Sequence, residues 1–407
     1  MLKKESFKYI NDIKFRENVV LLNARLPLKK EYLAKLTMFE RLAFYGTTSF
    51  PTRERIIAQE ENLYGLRLGF YHTIEQDIIN INIQFVVVDD SFVNDSSLFE
   101  SACTFVKDVV FDDNKKRFKE KFLELEKVSC INSIKNRLNE PTFICKKNMF
   151  ETIDKNLSIN IEKTGSIKEI KNVSIKDIYD IQEIIKSLSF TCYVVGIIDK
   201  QKAIDNLGKC FNITNSFDVI NYEQISTNKE ISIIKEKDIE QTQILMLYKF
   251  DKNLFKNEKI SLIFSNMLGE SGTSKLFKEI RENRGLCYTI FSNISFKYGL
   301  LFITLGVNDD KIDEAITSIR TLIEDLTFKE EELKIAKQMF LTSHDTIYED
   351  PSRLLRIIVS YTLTGRIFDY KLITRDIKKV SMKNINDLSK NLKYIGYSVV
   401  KGIKKHE

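Results

Sequence analysis

Two stretches of this chain, together spanning most of its length, present the same elements in the same order. In the first, Val19-Val20-Leu21-Leu22 anchors a strand over residues 18–28. A helix follows over residues 31–45, with Tyr32, Leu36, Phe39 and Ala43 on one face. Gly46 ends it, and Pro51-Thr52 opens a second helix that Gly65 closes. Strands over 66–73 and 77–89 and helices near 97–111 and 116–138 complete the set. In the second stretch a strand over 243–248 precedes a helix over 258–268, stopped by Gly269. Ser271 and Thr273 are candidate N-caps for a helix that carries Leu276, Phe277 and Ile280 and ends at Gly285. Strands over 286–296 and 299–307 follow, then a helix with Ile312, Ala315, Ile316, Ile319, Leu322, Ile323 and Leu326 on one stripe. Thr327 and Glu330 have the spacing of a capping box ahead of a further helix. Each stretch closes with more helix, over 173–188 and from Asp350-Pro351-Ser352, and a final strand, over 191–195 and 394–400. This repetition predicts two duplicated α+β domains, each an antiparallel-rich sheet packed with helices. The first is expected over 1–212 and the second over 236–407, joined by a polar linker at 213–235.

With 43% hydrophobic residues in a chain of 407, each repeat has material for a core of ordinary size. The net charge of +6, from 63 basic and 57 acidic residues, is spread evenly and gives no sign of a nucleic-acid or membrane-surface partner. No run approaches the roughly eighteen apolar residues of a membrane span, and the first residues lack the apolar core of a secretory signal. The six cysteines form no CxxC pair and read as reduced core residues of a cytoplasmic protein. Three histidines, His72, His344 and His406, stand far apart, none at ligand spacing from another. His72 falls in an expected strand and reads as a surface or edge residue.

The segment from Leu276 to Tyr288, LFKEIRENRGLCY, resembles the second-domain signature of the M16 (insulinase/pitrilysin-like, two-domain M16B type) zinc peptidases, approximately S-R-L-F-x-x-I-R-E-x-x-G-L-x-Y. Ser274-Lys275 stands for its Ser-Arg, and the spacing from Arg281 to Tyr288 holds. The duplicated plan is also that family's, so the resemblance covers nearly the whole chain and implies a LuxS/MPP-like metallopeptidase fold. The family's zinc motif is H-x-x-E-H, and the matching stretch is Thr37-Met38-Phe39-Glu40-Arg41. Two imidazoles four residues apart share a helix face and reach one Zn²⁺. Thr37 and Arg41 replace both: a hydroxyl is a poor zinc ligand, and a guanidinium stays protonated and repels the cation. Glu40 stands where the family has its general base, but with no metal-bound water to activate it reads as a leftover exposed helix acid. In the later helix Glu126 matches the first acid and Ser133 replaces the glutamate ligand. Thr37, Glu40, Arg41 and Ser133 therefore mark a degenerate zinc site, with no metal and no catalytic residue in this chain.

The resemblance implies that zinc is held by a partner, a zinc-bearing M16 subunit in a heterodimer acting on a peptide substrate. In that family the signature's arginine and tyrosine lie beside the partner's metal across a closable chamber, which makes Arg281 and Tyr288 substrate-binding candidates. Both are donors suited to a peptide carbonyl or its oxyanion. By residue type alone, Arg281 is a cation near a helix C-terminus and Tyr288 a half-buried strand aromatic. The alternatives are a scaffolding subunit with no role in proteolysis and a peptidase with a rebuilt site.

Overall fold

Alternation of side chains along each strand sets two sheets of the same topology. The computed structural model of the chain describes residues 7–214, 219–220, 222, 225, 227, 229–251 and 258–402; His406 and several positions of the expected linker lie outside the described residues. The first sheet contains β1 (Phe7–Asn11), β2 (Glu17–Pro27), β3 (Arg67–Glu75), β4 (Ile78–Val88) and β5 (Thr191–Gly196), in the order β1-β5-β2-β4-β3. The second contains β6 (Ile231–Lys237), β7 (Thr242–Lys249), β8 (Thr289–Ser295), β9 (Leu300–Val307) and β10 (Lys393–Gly402), in the order β6-β10-β7-β9-β8. In each, the first strand runs parallel to the last and every other pair is antiparallel. The protein is a duplicated α+β fold. The stretch read as a linker runs into β6, which begins at Ile231.

The first half carries α1 (Lys30–Leu42), α2 (Arg53–Asn62), α3 (Leu98–Phe111), α4 (Glu120–Arg137), α5 (Pro141–Ile153), α6 (Ile167–Asn172), α7 (Ile175–Lys186) and α8 (Lys200–Cys210). The second carries α9 (Glu258–Ser265), α10 (Ile312–Glu324), α11 (Glu330–Tyr348), α12 (Pro351–Leu363), α13 (Tyr370–Lys379) and α14 (Met382–Ser389). Where the sequence predicts plain α-helix after α9, the chain widens into π-helical turns at Asn266–Glu270 and Phe277–Glu282. At the start of α11 the Glu332 carboxylate accepts from the Lys329 N–H at 2.7 Å, rather than Glu330 pairing with Thr327. The two glycine stops work alike. Gly65 and Gly285 have φ of +76° and +59°, and the next residue's N–H reaches back to Glu60 O (from Leu66) and Ile280 O (from Leu286).

The described residues form two compact units, and the units do not follow the halves of the sequence. One draws on Met1–Lys135, Ile161–Ile220 and Ile347–Ile367; the other on Asn136–Asn160, Asn221–Thr346 and Phe368–Glu407. In the first unit α1 packs on β3 and α3 on β4, over the apolar row Leu22, Ala24, Ile79, Ile81, Ile83 and Phe85. The opposite face is polar, with Asn23, Arg25, Asn80 and Asn82 in adjacent register positions. That face is covered by α12 from the second half, which lies on β2 and β5 and sets Thr362 beside the Tyr193 hydroxyl. In the second unit the reciprocal place is taken by α5 from the first half. Its Cys145, Met149 and Phe150 pack with Leu245, Leu247, Leu300, Phe302 and Val400.

The helix that carries the candidate site is fixed from several sides. Phe39 meets Phe70 and Phe118 edge-on, at 5.2 and 6.0 Å between ring centres. Lys35 bonds Asp177 at 2.7 Å, joining α1 to the first turn of α7. Partial burial raises the Asp177 pKa, but hydrogen bonds from Lys35 and Ser174 outweigh it and hold the carboxyl at about 2.

Three outcomes follow from this packing. Leu354 and Leu355 are each 0% exposed, so Ala at either position should destabilise the first unit by about 2–5 kcal/mol in urea unfolding; for the same reason a fragment ending at Ile220, lacking the α12 cover, should show no cooperative melt. A sharp, native-like transition of that fragment would contradict the exchange. The Lys35–Asp177 contribution belongs to a group whose folded pKa lies below its ordinary 3.8. It should be present above pH about 4 and vanish as pH falls through about 2, so Lys35→Met should lower stability at pH 7 and leave it nearly unchanged at pH 2.

Candidate functional site

α1 turns Thr37 and Arg41 onto one face, one helical turn apart. Thr37 is 4% exposed, and its hydroxyl has no hydrogen-bond partner among the described residues. The Arg41 side chain reaches α4, where its Nη1 donates to Glu126 Oε2 at 2.8 Å and approaches Ser129 Oγ at 3.4 Å. Tyr45, just past α1, donates its hydroxyl to the other Glu126 oxygen at 2.7 Å. Burial and the Glu126 carboxylate push the Tyr45 phenol above its ordinary value, so it remains a donor at neutral pH. Ser133 lies two turns beyond Glu126 on α4 and is exposed, its hydroxyl donating to Ser129 O at 3.0 Å. A guanidinium thus occupies the acid that a metal motif would keep for support, in an ion pair whose side chains are 32% and 15% exposed.

Glu40 faces another way, and here the sequence reading needs correction. Its side chain is 14% exposed, and its Oε1 lies 2.6 Å from Nδ1 of His72, which is 0% exposed. His72 Nε2 lies 2.8 Å from the carbonyl of Lys163. A carbonyl only accepts, so Nε2 carries a hydrogen, and one further proton lies in the contact between Nδ1 and Glu40. His72 is therefore a buried bridge on an edge strand, not a surface residue, and Glu40 is a partnered acid rather than a free one. The sequence did hold a signal: His72 continues the inward row of Leu68, Phe70 and Ile74 on β3, and a polar group in such a row needs a partner. The loop that supplies Lys163 comes close to α1 through Gly165, at φ +77°, where a Cβ would lie 2.9 Å from the Ala34 nitrogen.

This donor set does not fit a zinc ion. Thr37 and Ser133 offer neutral hydroxyls, Arg41 a cation already paired, and Glu40 a carboxylate engaged by imidazole. Among the described residues no three His, Cys, Asp or Glu side chains are grouped to hold a metal.

The second pair of candidates lies on the other unit. Arg281 is exposed at the end of the π-helical turn, its guanidinium 4.6 Å from the centre of the Phe277 ring. Among the described residues no carboxylate pairs with it. Tyr288 is 57% exposed just before β8 and donates its hydroxyl to Asn308 Oδ1 at 3.2 Å. Between them Cys287 is buried, which pushes its thiol up to about 11 while the Arg281 charge opposes the shift. Arg281 is thus within electrostatic reach of the residue next to Tyr288.

A sequence model of the family described as the peptidase M16 inactive domain matches residues 174–340. The chain is similar to a curated protein of Bacillus subtilis (strain 168), "Probable inactive metalloprotease YmfF", with 21% identity over 350 residues and 82% of each chain covered. Among solved structures, a conserved protein from Enterococcus faecalis V583 superposes with a TM-score of 0.87 at 16% identity, covering 100% of this chain and 99% of that one. A peptidase M16 inactive domain from Pseudomonas fluorescens gives a TM-score of 0.74 at 12% identity, covering 98% and 96%. No described helix is long and apolar enough to cross a membrane.

The resemblance sets Thr37, Arg41 and Ser133 at zinc-ligand positions, so placing ligands there should create a metal site. The triple variant Thr37→His/Arg41→His/Ser133→Glu is expected to retain zinc at about one per chain through gel filtration, by elemental analysis, while the unmodified chain retains none. Zinc held by the unmodified chain, or its absence from the triple variant, would count against this account of the site.

Proposed function

We propose that the chain is an inactive M16-like protein, the non-catalytic, substrate-binding subunit of a heterodimeric M16 zinc metallopeptidase that processes peptides in the cytoplasm; the match of residues 174–340 to the M16 inactive-domain model supports this reading. The observation that carries this reading is a contrast between the two units. The motif helix has its polar groups tied up, Arg41 by Glu126 and Glu40 by His72. Arg281, by contrast, is exposed with no carboxylate partner among the described residues, and Tyr288 is exposed with its hydroxyl in a 3.2 Å bond to Asn308 that a peptide carbonyl would have to replace.

The chemistry suits a helper role. An arginine and a phenol offer hydrogen bonds to a peptide carbonyl, and these strengthen as negative charge gathers on that oxygen. Such donors speed a reaction whose metal and base belong to another chain. A bound peptide also fits an exposed sheet edge, where main-chain hydrogen bonds give affinity with loose sequence preference. β8 is such an edge, and it follows Tyr288 directly.

The test is to co-purify the chain with a zinc-bearing M16 partner and follow cleavage of a quenched fluorescent peptide. Arg281→Ala should lower kcat/KM of the pair by about 10²-fold, and Tyr288→Phe by a smaller factor, without loss of assembly. Undiminished cleavage with Arg281→Ala would remove the assigned role.

A further inference from the structure

Among the described residues the two sheets have four edge strands, and three of these carry charge: Lys8 on β1, Arg67 and Glu75 on β3, and Lys235, Glu236 and Lys237 on β6. Charged side chains on an edge discourage a further strand from pairing there. β8, with the sequence TIFSNIS, has no charge and no proline. Its two faces differ. Ile290 and Ser292 are buried, whereas Thr289, Phe291 and Asn293 are exposed. The exposed set stands in register with Gly306, Thr304 and Phe302 of β9, and these with Gln243, Leu245 and Leu247 of β7. α5 covers that face over β7 and β9, where Leu245, Leu247 and Phe302 are buried with Cys145, Met149 and Phe150. The cover ends before β8: Thr304 is 5% exposed, and Phe291 beside it is 48% exposed. The result is a ledge, with Phe291 and Asn293 on its floor and α5 as its rim. On that rim Lys146 Nζ stands 5.5 Å from the centre of the Phe302 ring. Burial lowers the Lys146 pKa, and among the described residues no carboxylate raises it.

We propose that this ledge selects the side chains of a peptide paired with β8, Phe291 taking a bulky apolar residue and Lys146 favouring an acidic one two positions away. Alternate side chains of an added strand fall on one face about 7 Å apart, which is the spacing from Phe291 to Asn293. Two successive side chains of the peptide on this face therefore stand against Phe291 and Asn293. Asn293 lies directly opposite Phe302, the ring over which Lys146 is held, and Phe291 lies on its diagonal. The half of Phe291 left in water gives an apolar side chain a surface to cover. Charge decides between occupants. A second copy of β8 paired on this edge would bring no acid, since TIFSNIS has none, and would leave Lys146 unmatched. An apolar and acidic peptide segment matches both parts of the ledge. The ledge rests on the reading of the chain as a peptide-binding subunit and adds a side-chain preference to main-chain pairing.

Fluorescence anisotropy with the full chain tests it, using a fluorescein-labelled, C-terminally amidated decapeptide of Ser, Thr and Gln. A central Phe is flanked two positions away on each side by Glu, so that either strand direction presents an acid to Lys146. Replacing the peptide's Phe by Ser should weaken binding about tenfold, and replacing both Glu by Gln about threefold. In the chain, Phe291→Ser should abolish the first difference and Phe291→Leu should keep it, while Lys146→Gln should abolish the second. All three variants should keep the thermal transition of the unmodified chain. Equal binding of the Phe and Ser peptides, a preference that survives Phe291→Ser, or dimers of the chain that Phe291→Ser disperses would each overturn the ledge; the cleavage test with Arg281→Ala would still decide the peptide-binding reading. No binding of any peptide overturns both.

Discussion

The ion pair between Arg41 and Glu126 governs what α1 can do. A guanidinium is permanently charged, and its carboxylate partner is only 15% exposed, so the pair cannot be opened without stranding one charge in a poorly hydrated place. No divalent cation can settle beside it. The buried imidazole of His72 does the same for Glu40, taking the acid from the solvent side of the helix. Both contacts leave α1 held by internal polar bonds.

Much of this was legible in the residues. Glycine stops at Gly65 and Gly285, the apolar row on β4 and the stripe on α10 all follow from local periodicity, and they lead to duplicated α+β domains. Thr37, Arg41 and Ser133, which the resemblance sets at zinc-ligand positions, are poor ligands by residue type alone. Short or half-exposed edge elements were harder. β6, with its sequence ISIIKEK and mostly exposed side chains, has too weak an alternation to stand out from a polar linker.

What the sequence hides is tertiary partnership. The amphipathic face of α12 announces that the helix is buried, but not on which sheet, and α5 falls where the sequence reading placed no helix. The bond between His72 and Glu40 depends on the register of β3 against α1, which no spacing along the chain encodes. Arg41 and Glu126 lie further apart still; yet an arginine arriving opposite a retained acid was itself a hint of a salt bridge.

The exchange of α5 and α12 bears on how the protein is made. As the chain leaves the ribosome, the first sheet is complete by Gly196, yet its polar face stays bare until Leu363 has emerged. For that interval of synthesis Asn23 and Asn82 can bond each other within the sheet, but the face they lie on has no helix over it, and contacts of such long sequence separation form late. A frameshift or premature stop anywhere before α12 would thus remove elements of both units at once.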